Sequence, residues 1–70
     1  MPKVTSEEYS RLMEKYDGSI QHSHPRINGK IEKRVILLIN DDTREELGRI
    51  DERTSPPEYS LSKRFIDKYG

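Results

Sequence analysis

The chain contains no cysteine and no tryptophan, one phenylalanine, and equal numbers of cationic and anionic side chains. Each of these scarcities excludes something. Without cysteine there is no disulfide framework, no thiolate zinc site and no thiol nucleophile, a composition that suits a reducing, cytoplasmic setting. A balance of 13 Lys and Arg against 13 Asp and Glu argues against a strong non-specific polyanion binder. Residues 1–8 hold no apolar segment, so no secretory signal is expected, and no apolar run approaches the length of a membrane span. There is no glycine-rich phosphate loop and no nucleophile, base and acid set. No enzymatic activity, metal or cofactor is therefore expected.

What remains is a small amount of apolar material, well placed. Only 30% of the residues are hydrophobic and 37% are charged, which leaves 70 residues enough for one thin-cored domain. The apolar side chains are nevertheless grouped. Val35-Ile36-Leu37-Leu38-Ile39 is the one continuous apolar run. Its β-branched content and the turn residues around it, Asn28-Gly29 before and Asn40-Asp41-Asp42 after, predict a central strand over 31–39.

The other elements arrange themselves around that strand. Residues 4–18 predict a helix: Thr5 caps it, Glu8 completes a capping box, and Gly18 closes it. Tyr9, Leu12, Met13 and Tyr16 form its apolar stripe. Residues 19–40 predict a hairpin turning at Asn28-Gly29. Extending that register puts Val35 opposite His22 and Leu37 opposite Ile20, with a core face of Ile20, His22, His24, Ile31, Val35, Leu37 and Ile39. Residues 43–51 fit either a helical turn or a strand, Glu46–Asp51, returning on 35–39 with a bulge near Gly48; we favour the strand. Ser55-Pro56-Pro57-Glu58 predicts the start of a second helix, running to Tyr69; a later start at Ser60, with Pro56-Pro57 extended, also fits. The expected fold is a single small α+β domain over 1–70. A three-stranded antiparallel sheet of β-hairpins is flanked by an N-terminal and a C-terminal helix.

Val35–Asp42 followed by Glu45-Glu46-Leu47-Gly48-Arg49-Ile50 resembles the opening hairpin of the N-terminal domain of bacterial translation initiation factor three. The helix and strand that follow in that family are missing or shortened here. The resemblance implies a second hairpin over 35–50.

Charge is unevenly distributed along the chain. Arg26, Lys30, Lys33 and Arg34 against Glu32 give residues 22–34 a local net of +3. A hairpin so charged can grip phosphates, although no aromatic residue is interleaved for base stacking. Asp41, Asp42, Glu45, Glu46, Asp51 and Glu52 against Arg44 and Arg49 give the following stretch a net of −4, a surface able to steer a complementary protein partner. Tyr9 and Tyr16, with Tyr59, Tyr69 and Phe65, are placed on the two expected helices, where tyrosines serve cores and interfaces alike. His22 and His24 alternate on a strand and could share a metal, but no third ligand is spaced to complete a site.

These features predict a small cytoplasmic protein-binding module, a regulator or inhibitor of bacterial or phage type acting on a larger machine such as the transcription apparatus. Its contacts would be Asp41, Asp42, Glu45, Glu46, Tyr9 and Tyr16. The alternative is a nucleic-acid- or ribosome-associated module using Arg26, Lys30, Lys33 and Arg34.

Overall fold

The computed structural model describes all 70 residues. The chain runs β1 (Lys3–Val4), α1 (Ser6–Lys15), β2 (Ile20–Ser23), β3 (Arg26–Ile27), β4 (Lys30–Ile31), β5 (Val35–Asn40), β6 (Glu46–Asp51), β7 (Glu58–Leu61) and α2 (Lys63–Tyr69). The α+β class is as expected. The sheet, however, has five antiparallel strands in the order β1-β7-β6-β5-β2 where three were expected, and β3 and β4 form a separate two-stranded ribbon.

Helix α1 begins where its cap predicts. The Thr5 side chain accepts a hydrogen bond from the Glu8 N–H at 3.0 Å, and Glu7 and Glu8 lie at the positive end of the helix dipole. The helix ends earlier than predicted. Tyr16 takes extended backbone, which turns its ring toward Phe65 and Tyr69, at centroid distances of 5.5 and 5.6 Å. Gly18 is therefore not a left-handed cap. It lies against the Tyr16 ring, with room for no side chain of its own.

The Asn28-Gly29 turn forms as predicted. Both residues have positive φ, 53° and 78°, the signature of the tight hairpin turn that suits twisted strands. Ile27 pairs with Lys30 and Arg26 with Ile31. The predicted register then fails. Residues Glu32–Arg34 form an extra turn, in which Val35 N–H donates to the Glu32 carbonyl at 3.2 Å. When pairing resumes, His22 lies opposite Leu38 and Ile20 opposite Asn40. The three-residue offset exchanges the faces of β5, because strand side chains alternate. Ile36 and Leu38 turn toward the helices with Ile20; Val35, Leu37 and Ile39 take the other face, where Val35 is buried as expected, at 1% exposure. His22, His24 and Ile31, expected in the core, are exposed.

Strand β6 spans Glu46–Asp51 as favoured, and the bulge near Gly48 is present. Leu38 pairs with Gly48 but Ile39 pairs with Glu46, so Leu47 is the extra residue. The bulge sends Leu47 to the core side next to Gly48, and both are buried.

The second helix is half as long as predicted. Glu58–Leu61 is a strand, β7, and Ser62 caps α2 by accepting from the Phe65 N–H at 3.2 Å. Tyr59 thus belongs to the sheet and not to a helix. The core lies between one sheet face and the two helices: Leu12 from α1, Leu38, Leu47 and Leu61 from the sheet, and Phe65 from α2. Leu61 is completely inaccessible to solvent. No helix is long and apolar enough to cross a membrane.

Candidate binding surface

The acidic stretch is divided by the fold. Asp41 and Asp42 sit in the turn after β5, shaped by the Asn40 carboxamide, whose oxygen accepts from the Asp42 and Thr43 N–H groups at 2.8 Å each. Strand β6 then carries Asp51 and Glu52 to the opposite end of the sheet. There Glu52 N–H donates to the Arg34 carbonyl at 2.7 Å and Asp51 lies opposite Val35. The net of −4 read along the chain does not exist as one patch. The acids left near the turn are also largely matched. Glu45 meets Arg64 at 3.4 Å, Glu46 meets Arg49 at 3.1 Å, and Asp41 lies 4.0 Å from Arg44.

The two tyrosines are structural members. Tyr16 packs tilted against Phe65 and edge-on against Tyr69, and its hydroxyl accepts from the Asn40 side-chain amide. Tyr9 is half-buried with its ring 5.0 Å from that of Tyr59. Burial, reinforced by Tyr59, pushes the Tyr9 phenol up to about 12.

At the β4–β5 turn the charges are locked in short-range pairs. Arg34 donates from two guanidinium nitrogens and its own backbone N–H to Glu32, each at 3.0 Å. Arg53 does the same for Asp51, at 2.8–3.0 Å. Those hydrogen bonds bring the Asp51 carboxyl down to about 2 and hold Glu32 below its ordinary value, while Arg34 and Arg53 are raised by the same contacts.

Arg34 is thus withdrawn from the basic group, and three cations remain. Arg26, Lys30 and Lys33 take part in no ion pair. They lie on or beside the β3–β4 ribbon, whose strands pair only with each other. The same ribbon carries two of the three large hydrophobic side chains that the molecule exposes, Ile27 at 36% and Ile31 at 52%. The sequence reading assigned Ile31 to the core and gave Ile27 no role. The available signal was their position: an isoleucine on each side of a two-residue turn, distant from any helix that could cover it.

His24 fixes the base of the ribbon. Its ring Nδ1–H donates to the Val35 carbonyl at 3.0 Å, since a carbonyl can only accept. No group of three His, Asp or Glu side chains comes close enough together to hold a metal ion. The largest surface groove, about 570 Å³, lies elsewhere, between the start of α1 and residues 54–59, and the Lys3–Glu58 pair at 3.3 Å spans its wall.

No protein-family model, curated protein or solved structure matches the chain. The hairpin implied by the resemblance to initiation factor three is present as β5–β6.

Proposed function

We propose that this chain is a small non-enzymatic protein-binding module, a regulator or inhibitor of a larger protein assembly such as the transcription apparatus, and that it engages its target through the β3–β4 ribbon. The observation that carries this reading is the coincidence on one ribbon of exposed Ile27 and Ile31 with the unpaired cations Arg26, Lys30 and Lys33. An isolated two-stranded ribbon has little stability of its own, and exposed aliphatic side chains add nothing to it. Pairing puts Ile27 with Lys30 on one face of the ribbon and Ile31 with Arg26 on the other, so each face offers an isoleucine beside a cation, which favours a target cleft that takes the ribbon between apolar walls with an acidic rim. The contacts expected from Asp41, Asp42, Glu45 and Glu46 give way to the ribbon in this proposal, because those carboxylates mostly have partners within the chain.

A second reading has the same cations gripping nucleic-acid phosphates. It is favoured by the lack of any ion pair at Arg26, Lys30 and Lys33, and it assigns the isoleucines no part.

Affinity capture with the intact chain and with an Ile27→Ser/Ile31→Ser variant separates the two. A protein captured in stoichiometric amount, resistant to nuclease and lost with the variant, is the expected result. Recovery of nucleic acid by both forms, falling steeply as salt is raised, overturns the protein-binding reading. Ile27 and Ile31 are 36% and 52% exposed, so the variant is expected to lose about 1–2 kcal/mol and to stay folded, which circular dichroism checks.

A further inference from the structure

Strand β2 is an edge of the main sheet, and its outer side is bare. Its phase can be read from one bond. Asp41 N–H donates to the Ser19 carbonyl at 3.0 Å, one step beyond the Ile20–Asn40 pair. In an antiparallel ladder, hydrogen-bonded and non-bonded pairs alternate. Ser19, Gln21 and Ser23 therefore direct their backbone groups inward to β5, and Ile20 and His22 direct theirs outward.

The edge has few of the devices that prevent strand addition. Ile20-Gln21-His22-Ser23 contains no proline and no lysine, arginine or carboxylate; Pro25 comes only after it. The opposite edge, β1, is just two residues long, follows Pro2 and carries Lys3.

We propose that two copies of the chain associate through β2, antiparallel, extending the sheet across a two-fold axis. In the register that matches the outward-facing groups, Ile20 of each copy lies opposite His22 of the other, and the two Gln21 residues face each other. Four N–H to carbonyl bonds join the strands. What commits the edge to a second copy is charge. Continuing past Ser23, each chain enters its basic ribbon. Preceding Ile20 in the other copy are Ser19, bonded to Asp41, and then Asp17. The free cations Arg26, Lys30 and Lys33 of one copy thus run toward Asp17, Asp41 and Asp42 of the other. Symmetry makes this contact twice, as in any isologous dimer. Asp17 and Asp42 have no ion-pair partner within the chain. The β2 backbone edge is one that the proposed function leaves free, but the cations Arg26, Lys30 and Lys33 are shared with it, so a second copy and the target compete for the ribbon.

A strand this short buries less than the roughly 1,200 Å² typical of stable complexes, so the association is a weak one. Sedimentation velocity from about 10 μM to about 1 mM tests it. The expected result is a concentration-dependent shift from the 8.3 kDa monomer toward twice that mass, weaker at high salt.

His22→Pro removes one outward N–H from each copy, two of the four interstrand bonds, without touching the bonds from Gln21 and Ser23 to β5, and is expected to weaken the dimer about tenfold or more. Should that variant fail to fold, the charge pair provides the test. Arg26→Glu weakens association, and Arg26→Glu combined with Asp17→Lys restores it. A single 8.3 kDa species at every concentration, or a dimer indifferent to both His22→Pro and the charge exchange, overturns the proposal.

Discussion

Gly48 faces Leu61 across the β6–β7 pair so closely that a methyl group on the glycine would lie 2.8 Å from the leucine Cδ2 and 2.7 Å from the Ser60 carbonyl oxygen. The leucine could swing aside, but the carbonyl belongs to the strand backbone. On its other side Gly48 pairs with Leu38, whose Cδ1 would lie at an ordinary contact distance of 3.6 Å, so the crowding comes from Leu61 and the Ser60 carbonyl. The Gly48→Ala change is expected to cost about 1–3 kcal/mol by overpacking. A chain of this length has only about 4–10 kcal/mol in total. Urea denaturation should show a lower midpoint with an unchanged slope. A midpoint equal to the parent's would mean that β6 and β7 separate without cost.

The Asp51–Arg53 pair predicts the acid side of the stability profile. The Asp51 carboxyl is lowered from its ordinary 3.8 to about 2 in the folded chain. The folded state therefore releases its proton more readily than the unfolded state. Its contribution is fully present above about pH 4 and is lost as pH falls toward 2. Arg53→Leu should return the Asp51 titration toward its ordinary value and flatten this part of the profile. A carboxyl-carbon NMR titration, read together with thermal melts at acid pH, checks both statements. Added salt should shrink the difference, since the pair lies near the surface.

Tyr9 predicts the alkaline side. Its phenol is raised to about 12 by burial first and by Tyr59 second. A raised phenol favours the neutral folded form, so this contribution is complete below pH 10 and disappears as pH rises through 12. Ultraviolet titration should show the Tyr9 phenol ionising late. Tyr59→Phe should move that group down only slightly, because desolvation remains. A large drop in the Tyr59→Phe variant would assign the shift to the neighbouring phenol instead.

Much of the local structure was legible in particular residues. Thr5 capped α1, Asn28-Gly29 turned the ribbon, and Gly48 marked the bulge because Leu47 and Ile50 broke alternation. What failed was long-range. Nothing local announces that Glu32–Arg34 will loop out, yet those three residues set the face of every β5 side chain. Leu61, Phe65 and Tyr69 recur at helical spacing and drew Glu58–Leu61 into the helix. The period-two alternation of Tyr59 and Leu61 with Glu58 and Ser60 was the competing signal, and burial in the sheet decided it. The acidic stretch differs from its linear reading for a related cause. Charges were grouped by their order along the chain, whereas β6 carries Asp51 and Glu52 away from Asp41 and Asp42.

The order of strands also has a bearing on how the chain assembles. Strands β2, β5, β6 and β7 are neighbours in the sheet in the same sequence in which they are made, so most of the ladder can grow by adding one adjacent segment at a time, with short loops to close. Strand β1 is the exception. Lys3 must find Ser60 and Val4 must find Tyr59, across nearly the whole chain, for only two rungs and the Pro2 to Leu61 bond at 3.1 Å. The amino-terminal segment is therefore the last piece to dock and the first to open, and amide exchange should begin there while the central strands remain protected.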